Sequence, residues 1–474
     1  DGSSHKLSQQ DLDNNPVFAG LYSVGDEWDT VAIQEAINAA QPGQAVCVGP
    51  GDYKILRAEK RPRNHPFFKY EANIKFKSRL SIIGAGRNHV RFRSGTATGV
   101  ENGISHDVGS TWDQPIQNVT IEGISFHNLD MRLSVSTNRQ DLLHHFTIKD
   151  SRFVDSTSSD FFNYEGDTMI LARYTGSVII DNCEFLRDEN HIGRGVMFYQ
   201  AHDGQVINSR FDGFFITFVN VLGSTIVDGE FILSQRSHNI TIENNFMKRS
   251  SHLDVADQNT FLQTQLAVYN NRVATIASTF AKNGLSYWEN HRNTIQNIID
   301  GQVPFSEVRY LEDHGIYAVG FSGLTIRNNR IAGNEFDQGA VKIRNGEIAT
   351  IEGNTADSPF YFFTYNLAQS VPYYLRQVTI SDNELNLLRF ENPAQQYLFN
   401  EVTGCQGISY WRQGSIPGNI EIDDITITNN TIHNGCIMLR AGAYGPGITV
   451  TSNQAMDFIF DVQPIASGNT VISD

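Results

Sequence analysis

One pattern limits what this chain can fold into. A short unit, apolar-x-Ile-x-x-Asn-x-apolar, recurs along most of its 474 residues. It appears as Val119-Thr120-Ile121 with Phe126, Phe146-Thr147-Ile148 with Phe153, and Val178-Ile179-Ile180 with Phe185. It returns at Val206, Ile226, Ile242, Val268, Ile326, Ile351, Ile380, Ile427 and Val450. Most gaps are roughly 20–30 residues, the period of solenoids. Alternate side chains of a strand face one way, so each unit buries two apolar residues and then turns. Three positions after the anchor stands Asn245, Asn271, Asn329, Asn354, Asn383, Asn430 or Asn453. Asparagine tolerates left-handed backbone, and stacked amides hydrogen-bond along a ladder. Ser151, Cys183 and Ser209 hold the same position, which makes Cys183 a buried corner residue rather than a nucleophile.

A solenoid lengthens without a domain break, so the length does not imply several domains. The reading is an extended lead-in over 1–28 and one parallel β-helix over 29–474. Asp29 is expected to cap a helix whose Ile33, Ala36, Ile37 and Ala40 share a face, with Gln41-Pro42-Gly43 as its stop. The strand Ala45 to Val48 and a turn at Pro50-Gly51-Asp52 follow. The helix suits the open end of the first coil, which would otherwise expose core and strand edge. The period breaks near 274–308, where there is room for an extra coil, and near 386–420. The first stretch holds Tyr287 and Trp288; the second holds Tyr397, Phe399, Tyr410 and Trp411. Excursions from one corner of a solenoid build its binding face, and aromatic residues there suit sugar rings.

A net charge of −16 argues against nucleic acid as a partner. No apolar run is long enough to insert in a membrane. No signal-peptide pattern is present, and Asp1-Gly-Ser-Ser is read either as a processed N-terminus or as an artificial end. The four cysteines lack metal-ligand spacing, and only Cys405 with Cys436 is considered for a disulfide. A polyanionic substrate requires cations that reverse the field locally.

Such cations stand between Arg309 and Asn354. Tyr317 and Lys342 each precede a repeat anchor, Ile326 and Ile351, by the same offset. They are expected to stack on neighbouring coils about 4.8 Å apart. In Val341-Lys342-Ile343-Arg344 the alternation turns Lys342 and Arg344 outward together, and His314 lies close in sequence to Tyr317. The outer sheet is read as 168–173, 196–200, 215–219, 316–319 and 341–345. Arg173, Tyr199 and His202 extend the patch as substrate-binding candidates, with Trp288 and Trp411 on the groove walls.

The helix, the Ile-Ile-Gly-Ala-Gly-Arg stretch from Ile82 to Arg87 and the Asn-cornered coils resemble the pectate-lyase-like right-handed parallel β-helix superfamily. The resemblance covers about Asp29 to Ile465. It implies an all-β, single-stranded right-handed parallel β-helix with an N-terminal capping helix, and a site in a groove on the first sheet. The superfamily hosts lyases, epimerases, hydrolases and phage tailspikes, so fold does not fix reaction. The outward patch looks most like that of alginate and other uronate-polymer lyases. Their carbon 5 proton becomes acidic only when the neighbouring carboxylate is neutralised. A base then takes it, and an acid protonates the leaving oxygen. On that resemblance Tyr317 is base or acid, its acidity raised by adjacent cations. Lys342 is its partner or the neutraliser, Arg344 the carboxylate clamp, and His314 a second proton-transfer group.

The chain departs from several patterns. Chondroitinase-B-like alginate lyases place Lys and Arg on successive coils with a calcium on acidic residues, whereas Lys342 and Arg344 share a strand. No cofactor is required; for calcium no ligand set is identified. The Asp-Pro-His of mannuronan epimerases is absent. His314-Gly315 and Lys342 to Arg344 are similar to polygalacturonases, but the Asn-Thr-Asp and Asp-Asp those enzymes need are missing. The expected function is a secreted, periplasmic or extracellular lyase cleaving a uronate polysaccharide, alginate first. The alternatives are a C5-epimerase, a non-catalytic carbohydrate-binding or tailspike protein, and a two-carboxylate glycoside hydrolase. The hydrolase would use Asp160, Glu165 and Asp167, or Asp313 with Glu312.

Overall fold

The computed structural model describes residues 28–55, 74–94, 103–107, 116–134, 143–155, 168–187, 193–213, 215–223, 236–249, 285–303, 314–332, 339–365, 373–387, 406–413, 420–439, 446–461 and 464–472, with short helical pieces between 259 and 274. Its strands pair in parallel in two arrays, one of 13 strands and one of 22. One coil shows the plan. Gly193–Tyr199 lies on a first flat, Gln205–Ile207 on a second, Arg210–Gly213 on a third, and Phe215–Leu222 returns to the first. The returning strand pairs with the one that opened the coil. The 13-strand array is the second flat. The 22-strand array contains the other two, joined by Thr431–Leu439, which runs through both with a register shift between Ile432 and Cys436. The molecule is a right-handed parallel β-helix.

Burial follows the repeat. Ile121, Ile148, Ile180, Val206, Ile242, Ile326, Ile351, Ile380, Ile427 and Val450 sit in successive register in the core. From the third flat Phe126, Phe153, Phe185 and Phe211 stack face to face at 4.9, 5.2 and 4.4 Å between ring centroids. Identical rings on adjacent rungs fill the same volume in every coil, which is why Phe recurs at that offset.

The corner asparagines form the expected ladder. Asn245, Asn329, Asn354, Asn383, Asn430 and Asn453 pass an amide hydrogen bond from coil to coil at 2.9–3.0 Å or just above. Asn469 ends the series. Each amide also caps a carbonyl of the preceding coil, as Asn354 Nδ2 does for Ile326 O at 2.9 Å. Upstream, Ser209 donates its backbone N–H to Asn245 Oδ1, Cys183 N–H donates to Ser209 Oγ, and Ile124 N–H reaches Ser151 Oγ at 3.4 Å. Cys183 is buried and free, and burial pushes its thiol up to about 12, so it is inert filler. Cys47 is also free and Cys436 is in a disulfide; Cys405, the remaining cysteine, lies outside the described residues.

Two of the expected anchors carry no described strand. On the second flat Gln205–Ile207 pairs directly with Ser237–Glu243, and that strand pairs directly with Phe321–Arg327. Asn245 bonds straight to Asn329; Ile226, Val268 and Asn271 lie outside the described residues. The stretch from 274 to 308 contains a helix, Leu285–Ile299, rather than an extra coil.

The first helix, Trp28–Ala39, packs as expected, with Ile33, Ile37 and Ala40 buried. Asp29 does not cap it. It lies inside the helix, and its Oδ2 accepts the backbone N–H of Lys54 at 2.8 Å, tying the helix to the strand Gly51–Ile55. Gly84, in the Ile82 to Arg87 stretch, marks a close approach of two coils. A Cβ there would stand 2.4 Å from the carbonyl oxygen of Gly123 and 2.8 Å from Ile124 Cγ1. Backbone cannot swing away, so Gly84→Ala is expected to cost about 1–3 kcal/mol and lower the melting temperature. An unchanged melting temperature would refute that contact.

Candidate active site on the first flat

The strands expected for the outer sheet are the observed ones: Thr168–Arg173, Gly193–Tyr199, Phe215–Leu222, Ile316–Val319 and Val341–Arg344, paired in that order. Ile316, Ala318, Val341 and Ile343 point into the core. Their neighbours point out. Tyr317 pairs with Lys342, and Val319 with Arg344. Tyr317 and Lys342 are the expected ladder neighbours, and neither is a solvated surface group: 8% of Tyr317 and 6% of Lys342 is exposed.

His314 and Arg344 complete a compact set around the phenol. The His314 ring lies 4.9 Å from the Tyr317 ring, centroid to centroid, tilted by 35°. The Arg344 guanidinium carbon stands 5.2 Å from that ring's centre, a cation–π distance. The backbone approach is fixed from below. Arg249, buried beneath Phe218, donates from Nη2 to the His314 carbonyl at 3.2 Å. Gly315 runs so close to Ala340 that a Cβ would meet its carbonyl oxygen at 2.4 Å. A larger residue at 315 would lift His314 away from Tyr317.

Three more polar residues stand in the same outward row. In register it reads Asn220, Tyr317, Lys342, Tyr361, Ser409. Lys342 therefore sits between two phenols, and Tyr361 is 6% exposed. Asn220 is 3% exposed, and its Nδ2 is buried with no hydrogen-bond partner; Ser409 Oγ is in the same state. A buried donor left unmade costs about 1–3 kcal/mol. Such donors beside a Tyr–Lys pair fit a site that a ligand's oxygens complete. The sequence reading missed Asn220 and Tyr361.

The other candidates lie farther off. Arg173 and Tyr199 are rung neighbours, the guanidinium 5.3 Å from the Tyr199 ring and 4.8 Å from that of Tyr174. Tyr199 packs against an outward apolar cluster of Leu171, Met197, Leu222 and Val319 to which Tyr317 also belongs. His202 turns the corner, bridging Gly176 and His238, with Nδ1 2.9 Å from Asp203 Oδ2; it does not join the set. Trp288 falls in the helix Leu285–Ile299. Trp411 falls in Gly407–Gln413, a regular rung rather than an excursion, in the row of Arg344 and Phe363. Tyr410 of that rung is core, stacked on Phe362 at 4.6 Å. Tyr397 and Phe399, and the acidic candidates Asp160, Glu165, Asp167, Glu312 and Asp313, lie outside the described residues. Among the described residues no three His, Cys, Asp or Glu side chains come together as a metal site.

Neither a protein-family model nor a curated protein sequence matches the chain. Solved structures do. The A-module of a mannuronan C-5 epimerase from Azotobacter vinelandii superposes with a TM-score of 0.51 at 10% identity, covering 96% of this chain and 97% of that one. A surface adhesin of Streptococcus pneumoniae gives 0.47 at 14% identity, over 92% and 83%. An alginate lyase from Paenibacillus sp. gives 0.37 at 11% identity, over 88% and 96%. With its three parallel flats and its asparagine ladder, the chain has the right-handed parallel β-helix fold.

Proposed function

We propose that this protein is a polysaccharide lyase that cleaves a uronate-containing polymer, alginate first, by β-elimination. The observation that carries the reading is the outward row Asn220, Tyr317, Lys342, Tyr361 with Arg344 against the phenol. It combines proton-transfer groups with carboxylate-binding groups at one level of the sheet. The fold shared with a mannuronan epimerase supports a uronan as substrate. The disulfide at Cys436 accords with work outside the cytoplasm.

The chemistry runs through this chain's own side chains. Arg344 and the Asn220 amide bind the uronate carboxylate, drawing charge from carbon 5 so that its proton becomes removable. The Tyr317–Lys342 pair takes that proton. The electron pair forms the C4–C5 double bond, and the C4–O4 bond breaks. The leaving O4 receives a proton from the same pair or from His314. Lys342 in the row and Arg344 beside it supply the neutralisation.

A panel of alginate, pectate and glycosaminoglycans tests the reading through the ultraviolet absorbance of an unsaturated uronate. A rise on one uronan, and none on its carboxyl-reduced form, is the expected result. New reducing ends without that absorbance would overturn it in favour of hydrolysis. Asn220→Ala is expected to lower turnover by roughly tenfold to a hundredfold while leaving or raising stability, because it removes an unpaired buried donor. A loss of stability with unchanged turnover would make Asn220 a packing residue.

A further inference from the structure

A second feature lies on the third flat, toward the N-terminal end of the solenoid. A cleft of about 390 Å³ opens over Asp52, Arg87, Arg91, Ser125, His127 and Arg152. Its floor is a run of consecutive outward rungs: Asp52, Arg91, Ser125, Arg152, Glu184. Ser125 is the small residue in the middle, 2% exposed, with a guanidinium rung on either side. The four arginines share two carboxylates. Arg91 and Arg93 pair with Asp52, Arg93 at 2.9 Å. Arg87 and Arg152 pair with Glu184 at 3.1 and 2.6 Å. Among the described residues these ion pairs leave more guanidinium than carboxylate here, on a chain whose net charge is −16.

From this geometry we infer that the cleft is a second glycan site, where Arg91 and Arg152 receive the carboxylate of an anionic sugar above Ser125. Guanidinium forks match planar oxyanions, and the volume suits about one sugar unit. His127 forms one wall, its Nε2 2.8 Å from Ser125 Oγ. Burial, then Arg91 and Arg152, push it down to about 4 against the pull of Asp52, so it is neutral at pH 7. A bound anion offsets the arginines, and the imidazole reports it by titrating higher. The site stands on a different flat from Tyr317, so a long acidic polymer would be gripped away from the point of cleavage.

The inference extends the reading above to the same substrate class, yet its readout does not pass through turnover. Full-length Tyr317→Phe protein would be titrated with a saturated uronate trisaccharide, its carboxyl-reduced counterpart and inorganic phosphate, while the NMR signal of His127 is followed against pH. The expected result is a raised His127 pKa with the uronate only, or with phosphate at least about tenfold more weakly. Arg152→Gln and Arg91→Gln, made separately so that one misfolded variant does not decide the matter, should each weaken that binding roughly tenfold. On an otherwise unaltered chain they should leave turnover of a short substrate unchanged. An unmoved His127, a response to the reduced sugar, or phosphate binding as tight as the uronate would each overturn the inference. A responsive cleft with no turnover of any uronan would sink the lyase reading and leave the cleft standing.

Discussion

Tyr317→Phe should leave a folded protein whose turnover falls about a hundredfold or more, with substrate binding largely kept. The ring stays among Leu222, Val319 and Met197 and beneath the Arg344 guanidinium, so packing is conserved. Only the hydroxyl goes, and with it one of the two phenolic groups that flank Lys342 on the ladder. Initial rates over a range of substrate concentrations separate the two effects: kcat collapses and KM moves little. Circular dichroism and the melting temperature should match the unaltered protein. A near-normal rate on the true substrate would remove Tyr317 from the chemistry and shift the base to His314, whose ring lies against it.

Asn354→Ala is expected to cost about 3–5 kcal/mol of stability. Asn354 Oδ1 accepts from the backbone N–H and the amide of Asn329, both at 3.0 Å. Its Nδ2 donates to Ile326 O, Glu352 O and Asn383 Oδ1. Alanine leaves buried groups of three coils without partners at a point where water does not reach. A solenoid transmits stability between neighbouring coils, so the loss should appear as an earlier first unfolding transition. Asn469, partly buried at the end of the ladder, has fewer partners to orphan, and Asn469→Ala should cost clearly less. Equal melting temperatures for the two variants would contradict a cooperative ladder.

The ladder was legible because its positions are tied to the anchors by a fixed number of residues through a tight corner. The same rule exposed the candidate row only in part. Leu171, Met197, Tyr317 and Lys342 all precede their anchors by nine positions, since the corner after each strand is short and constant. Asn220 and Tyr361 stand in the same row, but longer connections, 224–235 and 366–372, follow their strands and shift their offsets. Recognising Phe360-Tyr361-Phe362 as a rung from its alternation would have found Tyr361. Nothing in the local sequence marks Asn220, whose significance lies in a buried amide without a partner. Trp411 misled for the opposite reason: a regular rung, Gly407–Gln413, followed a long connection and was read as part of it. His202 was carried into the patch by nearness in sequence to Tyr199, although the chain turns onto the next flat between them.

The central claim is that this protein removes the carbon 5 proton of a uronate with the Tyr317–Lys342 pair. Proton NMR of a uronan incubated with the protein in deuterated water tests it most directly. The account predicts olefinic signals from new unsaturated ends, absent with Tyr317→Phe. Deuterium appearing at carbon 5 of an uncleaved chain would keep the proton abstraction and make the protein an epimerase. New reducing ends with every carbon 5 proton in place, or a polymer left wholly unchanged across the uronan panel, would contradict the account.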